Sequence, residues 1–325
     1  MRLLLPLAWL ALSASANVFS AGDTDVSQLE QRTPHLAKRS SRGKCGPILA
    51  SSADTAMVPD TLSASASRNV SLGYIRFERN GSSPHPVSIH LGKRMELPNK
   101  DIGAFYAKEL PNVSAQIAPE VEGATAEQMS TAVVKEFSSV ARRKQWSTGT
   151  EGLCGCTTMY IISRKAVYAT HWFENVSFDP DPEWRKAGES KDDVFEATVL
   201  DMLAEGGTNH PPLDPDVIED EHIHAYLIHP KQTWEEKKGD VGYPKQWDAI
   251  RKKVGELVPT LQVEERWTDI AYKSLDTNDD AFNHPDIIWG RNLFKYDPMH
   301  IFEPGVKGKL AMLWVEDKLY HEDQW

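Results

Sequence analysis

A cysteine and a histidine with the spacing of a nucleophile and its base lie in the middle of the chain. Cys156 follows Gly155 at the entry to an apolar run, and His171 ends the next run, 15 residues later. If the two runs form a hairpin, their outer ends meet and the imidazole lies beside the thiol. A neighbouring imidazole lowers a thiol pKa and holds the nucleophilic thiolate. The spacing therefore predicts nucleophilic catalysis by Cys156 with His171 as base.

The residues around Cys156 suit the same reaction. Gly155 permits an unusual backbone angle and close approach of a substrate. The backbone amides of Gly155 and Cys156 are candidate donors to a developing oxyanion. Thr150, six residues before Cys156, is the candidate for orienting His171, although a threonine in a surface loop has the same pattern. From spacing alone, a catalytic pair and an ordinary cysteine and histidine on adjacent strands both remain open.

The chemistry depends on a hairpin, and the sequence favours one. Residues 157–163 and 166–172 are apolar runs separated only by Arg164 and Lys165. Upstream, Thr125 and Gln128 form a capping box before apolar residues at helical spacing, which predicts a helix over 125–144. Further strands are predicted at 74–77, 87–91, 222–228 and 311–315, and further helices at 194–203 and 247–257.

The order of these elements indicates the fold class. Strands and helices mix without a regular βαβ alternation, and the sequence contains no internal repeat. We therefore expect an α+β fold with mixed or antiparallel sheets in a sandwich-like core, flanked by a few helices.

The N-terminus has the features of a secretory leader. Arg2 is followed by an apolar run over 3–12 and by the small residues Ala14 and Ala16, which predicts a signal peptide over residues 1–16. The run is about half the length that spans a bilayer, and no later stretch approaches that length. We expect a secreted, extracellular protein that is not an integral membrane protein.

The remaining chain divides by composition. Residues 17–39 end in Lys38 and Arg39, which indicate either a propeptide cleaved at the dibasic pair or two ordinary surface charges. Residues 40–71 are rich in Ser and Ala and predict a linker or N-terminal arm. Residues 72–325 are predicted to form a single α+β domain.

Four N-x-S sequons, at Asn69, Asn80, Asn112 and Asn175, acquire meaning in a secreted chain. They indicate a glycoprotein, with the first three as the expected acceptors. Asn175 lies close to the candidate site, where a glycan would obstruct access, so we expect it to stay unmodified.

The three cysteines, Cys45, Cys154 and Cys156, are an odd number. In an oxidising compartment, a disulfide between Cys45 and Cys154 would tie the arm to the domain and leave Cys156 as a thiol. A Cys154–Cys156 bridge would instead close a very small, strained ring and block the nucleophile. Three cysteines are too few for a four-thiolate zinc site.

Charge and motifs exclude other classes. Acidic residues number 47 against 36 basic ones, for a net charge of −11, and no basic run provides the face that a nucleic-acid binder needs. No phosphate-binding loop or dinucleotide fingerprint occurs, so no cofactor is predicted. His222 and His224 would bind zinc or copper if a third ligand folded nearby, but the same pair is also typical of a polar strand face.

Residues 153–158, L-C-G-C-T-T, followed by strand, turn, strand and His171, resemble the active-site hairpin of the cytotoxic-necrotizing-factor deamidases. They resemble more loosely the chemotaxis glutamine deamidases of the same structural superfamily. In the toxins an L-S-G-C turn supplies the nucleophile and a histidine on the next strand supplies the base. Here Cys154 replaces the serine, and Trp172 replaces a glycine after the histidine. The match covers about 20 residues; the wider stretches 152–178 and 295–298 are similar to secreted fungal proteins of no assigned activity.

The resemblance implies an amidohydrolase that acts on glutamine side chains of a protein substrate, as an effector or toxin. Cys156 would attack the carboxamide, and His171 would protonate the departing ammonia and then activate water. An amine in place of water would give transglutamination. Two other interpretations stay open: a non-enzymatic secreted glycoprotein that binds a ligand or partner protein, and a metal-dependent enzyme built on His222 and His224.

Overall fold

Two five-stranded sheets and six helices make up the described part of the chain. The computed structural model describes residues 45–46, 95–98, 100–117, 123–231, 243–274, 284 and 287–325. The strands are β1 Ala115–Gln116, β2 Thr131–Glu136, β3 Trp146–Thr150, β4 Thr157–Ile162, β5 Ala166–Trp172, β6 His224–Pro230, β7 Trp267–Tyr272, β8 Asn292–Glu303, β9 Val306–Val315 and β10 Lys318–Gln324. The helices are α1 Ile102–Glu109, α2 Ala126–Met129, α3 Lys191–Phe195, α4 Asp201–Ala204, α5 Pro215–Ile218 and α6 Pro244–Leu257, and π-helical turns lie at Glu174–Phe178 and Glu196–Leu200.

Both sheets are mixed. Sheet I has the order β1-β3-β8-β9-β10, and sheet II has the order β2-β5-β4-β6-β7. The pairs β1/β3 and β6/β7 are parallel and the others are antiparallel. The predicted α+β class with mixed sheets in a layered core is confirmed.

The core consists of layers on both sides of each sheet. One apolar cluster lies between the sheets and includes Tyr160 of sheet II and Phe294 of sheet I. A second lies between the outer face of sheet II and the helices, with Trp172 and Ile250 among its members. A third packs α1 on the outer face of sheet I. We call the face of sheet II that points to sheet I its inner face.

The predicted hairpin is confirmed. β4 and β5 pair antiparallel with Thr157 opposite Trp172 and Thr158 opposite His171, and every residue of both strands is buried. The helices expected at 194–203 and 247–257 lie inside a helical segment over 191–204 and inside α6. The strands expected at 222–228 and 311–315 overlap β6 and β9.

The helix expected over 125–144 is wrong beyond its first turn. The capping box of Thr125 and Gln128 is present, but α2 ends at Met129. Residues from Thr131 form β2, which pairs with β5 along its whole length. The β-branched residues Thr131 and Val133 fit a pleated surface better than a helix, and the edge of β5 supplies the hydrogen bonds that a strand requires.

Other predictions lie outside the described residues. These are the signal peptide over 1–16, the dibasic pair at 38–39, the strands at 74–77 and 87–91, and all of the 40–71 arm except Cys45 and Gly46. In the described residues, no helix has both the length and the apolar character to cross a bilayer.

Candidate active site

The β4–β5 hairpin places Cys156 and His171 side by side on the inner face of sheet II. Cys156 directly precedes β4, and continuing the register of the hairpin puts it opposite Phe173. Residues directly opposite in an antiparallel pair share a face, and so do residues two apart on one strand. Cys156 is therefore a diagonal neighbour of His171, a placement in which the two residues are about 7–8 Å apart.

Two threonines flank His171 on this face. Thr158 of β4 and Thr131 of β2 lie directly opposite it in the sheet register. Both hydroxyls are engaged, because Thr158 donates to the carbonyl of Thr170 and Thr131 donates to the carbonyl of Ile117. Both threonine hydroxyls therefore donate to backbone carbonyls and not to a ring nitrogen of His171.

Burial makes His171 a neutral imidazole. It is 2% exposed, and the loss of hydration on burial lowers its pKa to about 3. Its Nδ1 is fully buried and makes no hydrogen bond within the described residues, while the ring of Phe173 packs edge-on at 4.4 Å between centroids. A pKa this low keeps the imidazole unprotonated and also makes it a weak base at neutral pH, since a general base works best with a pKa near the working pH.

Two hydrogen bonds from outside the hairpin hold the segment that carries Cys156. The Leu153 N–H donates to the Gly290 carbonyl at 3.0 Å, and the Tyr272 hydroxyl donates to the Cys156 carbonyl at 2.8 Å. The positive backbone angle of this loop is at Gly152, with φ of 74°, and not at Gly155 as the sequence suggested. The turn at Gly152 is needed to bring Leu153 to Gly290.

The Gly155 amide belongs to the residue directly before Cys156. Within the described residues its N–H donates no hydrogen bond. A donor in that condition, next to Cys156, can serve an oxyanion without first breaking another bond.

A disulfide joins Cys45 and Cys154, with 5.4 Å between their Cα atoms. Cys156 is outside this bond, and its Sγ lies 3.3 Å from the Cys45 Sγ and 3.9 Å from the Cys45 carbonyl oxygen. Cys156 is 1% exposed. Cys45 therefore lies directly against the candidate nucleophile.

The backbone of Cys45 is anchored on the π-helical turn after β5. Its N–H donates to Glu174 Oε2 at 3.1 Å, and the Asn175 N–H donates to the Cys45 carbonyl at 3.1 Å. Glu174 is held in turn by the Tyr243 hydroxyl, 2.9 Å from Oε1. Gly46 follows so close to Asn175 that a Cβ there would overlap the Asn175 side chain. Two backbone hydrogen bonds and a steric fit therefore seat Cys45 over Cys156.

Thr150 lies at the end of β3, in sheet I, opposite Asn292. Its hydroxyl donates to the Glu151 carbonyl at 3.3 Å, and no hydrogen bond joins it to His171. An orienting role for Thr150 stays a prediction.

The other predicted sites are apart from the hairpin end. His222 contacts Arg164 and Glu221, and His224 Nε2 lies 2.9 Å from the Thr268 hydroxyl. The described residues hold no group of three side chains suited to a metal ion. The expected glycosylation of Asn112 falls on an exposed side chain, while Asn175 is only 9% exposed; Asn69 and Asn80 lie outside the described residues.

Sequence reasoning missed Glu174, Tyr272 and Thr131 as parts of this site. Glu174 contacts Cys45 across 129 residues of sequence, and Tyr272 contacts Cys156 across 116, which no local pattern encodes. Thr131 was missed because its segment was interpreted as helix. The four-residue run Thr131 to Val134, with three β-branched members, was the signal that could have placed it.

No protein-family model matches the chain, and no curated protein matches it. Among solved structures, the crystal structure of the C-terminal domain of CNFy from Yersinia pseudotuberculosis is similar, with 12% identity over 60% of this chain and a TM-score of 0.26. The chain spans 58% of the length of that domain. A TM-score of this size supports no inference about this chain.

Proposed function

We propose that the protein is a secreted cysteine amidohydrolase that deamidates glutamine side chains of a protein substrate, with Cys156 as nucleophile and His171 as general base. The observation that carries the proposal is the register of the β4–β5 hairpin, which makes the two residues diagonal neighbours on one face. The L-C-G-C turn and its likeness to the deamidase hairpin support the choice of substrate bond.

The reaction needs one proton carrier. His171 takes the Cys156 proton, and the thiolate attacks the carboxamide carbon. The tetrahedral intermediate expels ammonia, which receives the proton from the imidazolium. Water then gives a proton to His171, attacks the thioester and releases glutamate, and the proton returns to Cys156. An amine in place of water would give a cross-link through the same thioester.

The Gly155 amide is the donor that the chain offers to the oxyanion. Its N–H is not engaged with the described residues, and the hydrogen bond from Tyr272 to the Cys156 carbonyl fixes the peptide that follows the nucleophile. Loss of one such donor costs about 10²–10³-fold in kcat in hydrolases.

A substrate can reach Cys156 only if Cys45 moves away from its position against the thiol. Cys156 and His171 are 1% and 2% exposed, and Cys45 contacts the thiol directly. A protein glutamine reaches the thiol only after the Cys45–Cys154 disulfide is opened or the arm is displaced. We therefore expect activity under reducing conditions, or after the arm is removed.

The test measures ammonia release from glutamine-containing proteins by the wild-type chain and by Cys156→Ser, with and without a small-molecule thiol. Wild type should release ammonia in the reduced sample, and Cys156→Ser should not. The matched control is His210→Gln, which alters a buried histidine on the opposite face of sheet II. Equal ammonia release by wild type and Cys156→Ser would refute the proposal.

A second candidate is a non-enzymatic secreted glycoprotein that binds a ligand or partner protein. The near-complete burial of Cys156 and His171 favours this candidate, because side chains without solvent access do not contact a substrate. The two candidates separate in Cys45→Ser, which removes the Cys45–Cys154 cross-link beside the thiol. In the enzyme this variant combines rapid alkylation of Cys156 with ammonia release; in the binding protein alkylation occurs without ammonia release.

A further inference from the structure

We infer that Cys156 and the Cys45–Cys154 disulfide form an internal thiol–disulfide exchange pair, in which Cys45 passes between Cys154 and Cys156. The juxtaposition that carries this is the 3.3 Å separation of the Cys156 and Cys45 sulfur atoms. Exchange requires a thiol in contact with one sulfur of a disulfide, and the cluster provides that contact in its resting arrangement.

The exchange balances without an outside reagent. The Cys156 thiol gives up its proton, and the thiolate attacks the Cys45 sulfur. The new Cys45–Cys156 bond forms as the Cys45–Cys154 bond breaks, and the electron pair of the broken bond stays on the Cys154 sulfur. Cys154 then takes up the proton. One disulfide and one thiol are present before and after the step, and nothing is oxidised or reduced overall.

The geometry selects Cys45 as the sulfur that is attacked. Attack on Cys154 would join residues two apart in sequence and close a very small, strained ring. Attack on Cys45 joins Cys156 to a residue 111 positions away, which imposes no such strain. Cys45 also keeps its place in either pairing, because its backbone is bonded to Glu174 and Asn175 and not to the loop that carries the other two cysteines.

The two pairings differ in the state of the nucleophile. With Cys45 bonded to Cys154, Cys156 is a thiol; with Cys45 bonded to Cys156, the nucleophile is consumed. If the proposed amidohydrolase function holds, the second pairing is a latent form, and a small-molecule thiol that reduces it restores Cys156. This consequence rests on the proposed function, whereas the exchange itself does not.

The experiment identifies which cysteine carries the thiol. The native wild-type chain is incubated at pH 8.5 without oxidant, quenched in acid and denaturant, and labelled with N-ethylmaleimide. The chain is then reduced and labelled with iodoacetamide. Acid stops exchange because thiolates are the attacking species. Residues 145–164 fall in one tryptic peptide that holds both Cys154 and Cys156, so fragment ions locate each label.

We expect maleimide on Cys156 in most chains and on Cys154 in a fraction that grows with incubation. The control is Cys156→Ser. Its Cys154 labelling should be lower than in wild type by about tenfold or by a larger factor, because the attacking thiol is gone. Maleimide confined to Cys156 at every time point in wild type would overturn the inference.

Cys154→Ser supplies an independent measurement. In this variant the structure leaves Cys45 in contact with Cys156, so we expect a Cys45–Cys156 disulfide in the secreted chain. Two thiols in its folded form would overturn the inference. The wild-type labelling decides the matter alone if the variant does not fold. Neither readout involves ammonia release, so failure of the exchange and failure of the proposed enzyme activity are seen separately.

Discussion

The two faces of the β4–β5 hairpin each bury a histidine, and the two histidines differ in what lies beside them. On the inner face, His171 has a fully buried Nδ1 with no hydrogen bond in the described structure, and Cys156 is its diagonal neighbour. On the outer face, His210 Nδ1 lies 3.3 Å from the Tyr168 hydroxyl, and its ring stacks on Trp172. Burial lowers the pKa of His171 to about 3 and that of His210 to about 4.

The comparison shows that a depressed histidine pKa does not by itself mark a functional site. Desolvation acts on both rings, because each lies in an apolar layer of the protein. What distinguishes the inner face is a thiol diagonal to the histidine and, among the residues that the structure describes, a backbone amide with no acceptor. On the outer face, the Tyr168 hydroxyl gives His210 Nδ1 a partner that His171 Nδ1 does not have within the described residues.

The largest expected effect separates the two histidines by activity. In the reduced protein, His171→Gln should lower kcat by about 10²–10⁴-fold, the usual contribution of a general base. His210→Gln should leave kcat within a few-fold, since His210 lies on the other side of sheet II. Steady-state ammonia release measures both. Equal losses in the two variants would remove the distinction between the faces.

A second prediction concerns what covers the inner face. Cys45→Ser removes a cross-link over 109 residues of sequence and should lower the free energy of unfolding by about 2–5 kcal/mol. It should also speed alkylation of Cys156, because Cys45 no longer lies fixed against it. Cys156→Ser keeps the cross-link and serves as the control in urea unfolding. A variant that lost stability without gaining Cys156 reactivity would show that the cover does not depend on the disulfide.

A third prediction tests the loop that carries Cys156. Gly290 has φ of 67°, and a Cβ there would overlap the Leu153 carbonyl oxygen. Gly305 has φ of 87° with open space around its Cβ position. Gly305→Ala should cost about 1–2 kcal/mol from backbone strain alone, and Gly290→Ala about 1–3 kcal/mol more from overpacking. Thermal unfolding compares them; equal costs would mean that the loop moves freely at Leu153.

The last prediction concerns a pH dependence of stability that the two histidines should share. Each ring titrates near pH 6.5 when unfolded and well below that when folded, so the unfolded chain binds the extra proton in acid. The free energy of unfolding should therefore fall as pH drops below 6.5, by about 1.4 kcal/mol per pH unit for each ring. His171→Gln and His210→Gln should each remove the part of the slope that the substituted ring contributes between pH 6 and 4.5. A change of slope in only one variant would show that the rings are not equally buried.

The hairpin and the fold class follow from local sequence. The two runs that form β4 and β5 are continuous, apolar and separated by a short polar connection, so period and length both favour strands. The helix prediction beyond Met129 failed because the apolar residues 129, 133, 137 and 140 also occur in a segment of β-branched residues. The edge of β5 decides between the two structures, and that edge is remote in sequence.

The site was predictable only in part. The pairing of Cys156 with His171 required only a hairpin, and the Cys45–Cys154 disulfide was one of two pairings that the sequence left open. The contact between the Cys156 and Cys45 sulfur atoms is not predictable from the sequence, because it depends on the hydrogen bonds that hold Cys45 to Glu174 and Asn175. Thr150 was chosen for its closeness in sequence, but β3 carries it into the other sheet.

Gly46 packs against the Asn175 side chain, and this contact limits when a glycan could be added to Asn175. Asn175 begins a sequon, and the transfer of an oligosaccharide needs that side chain while it is still accessible. In the folded chain Gly46 closes against the same amide group, so a glycan at Asn175 and a seated Gly46 exclude each other. A glycan at Asn175 would therefore have to be added before Gly46 packs against that side chain.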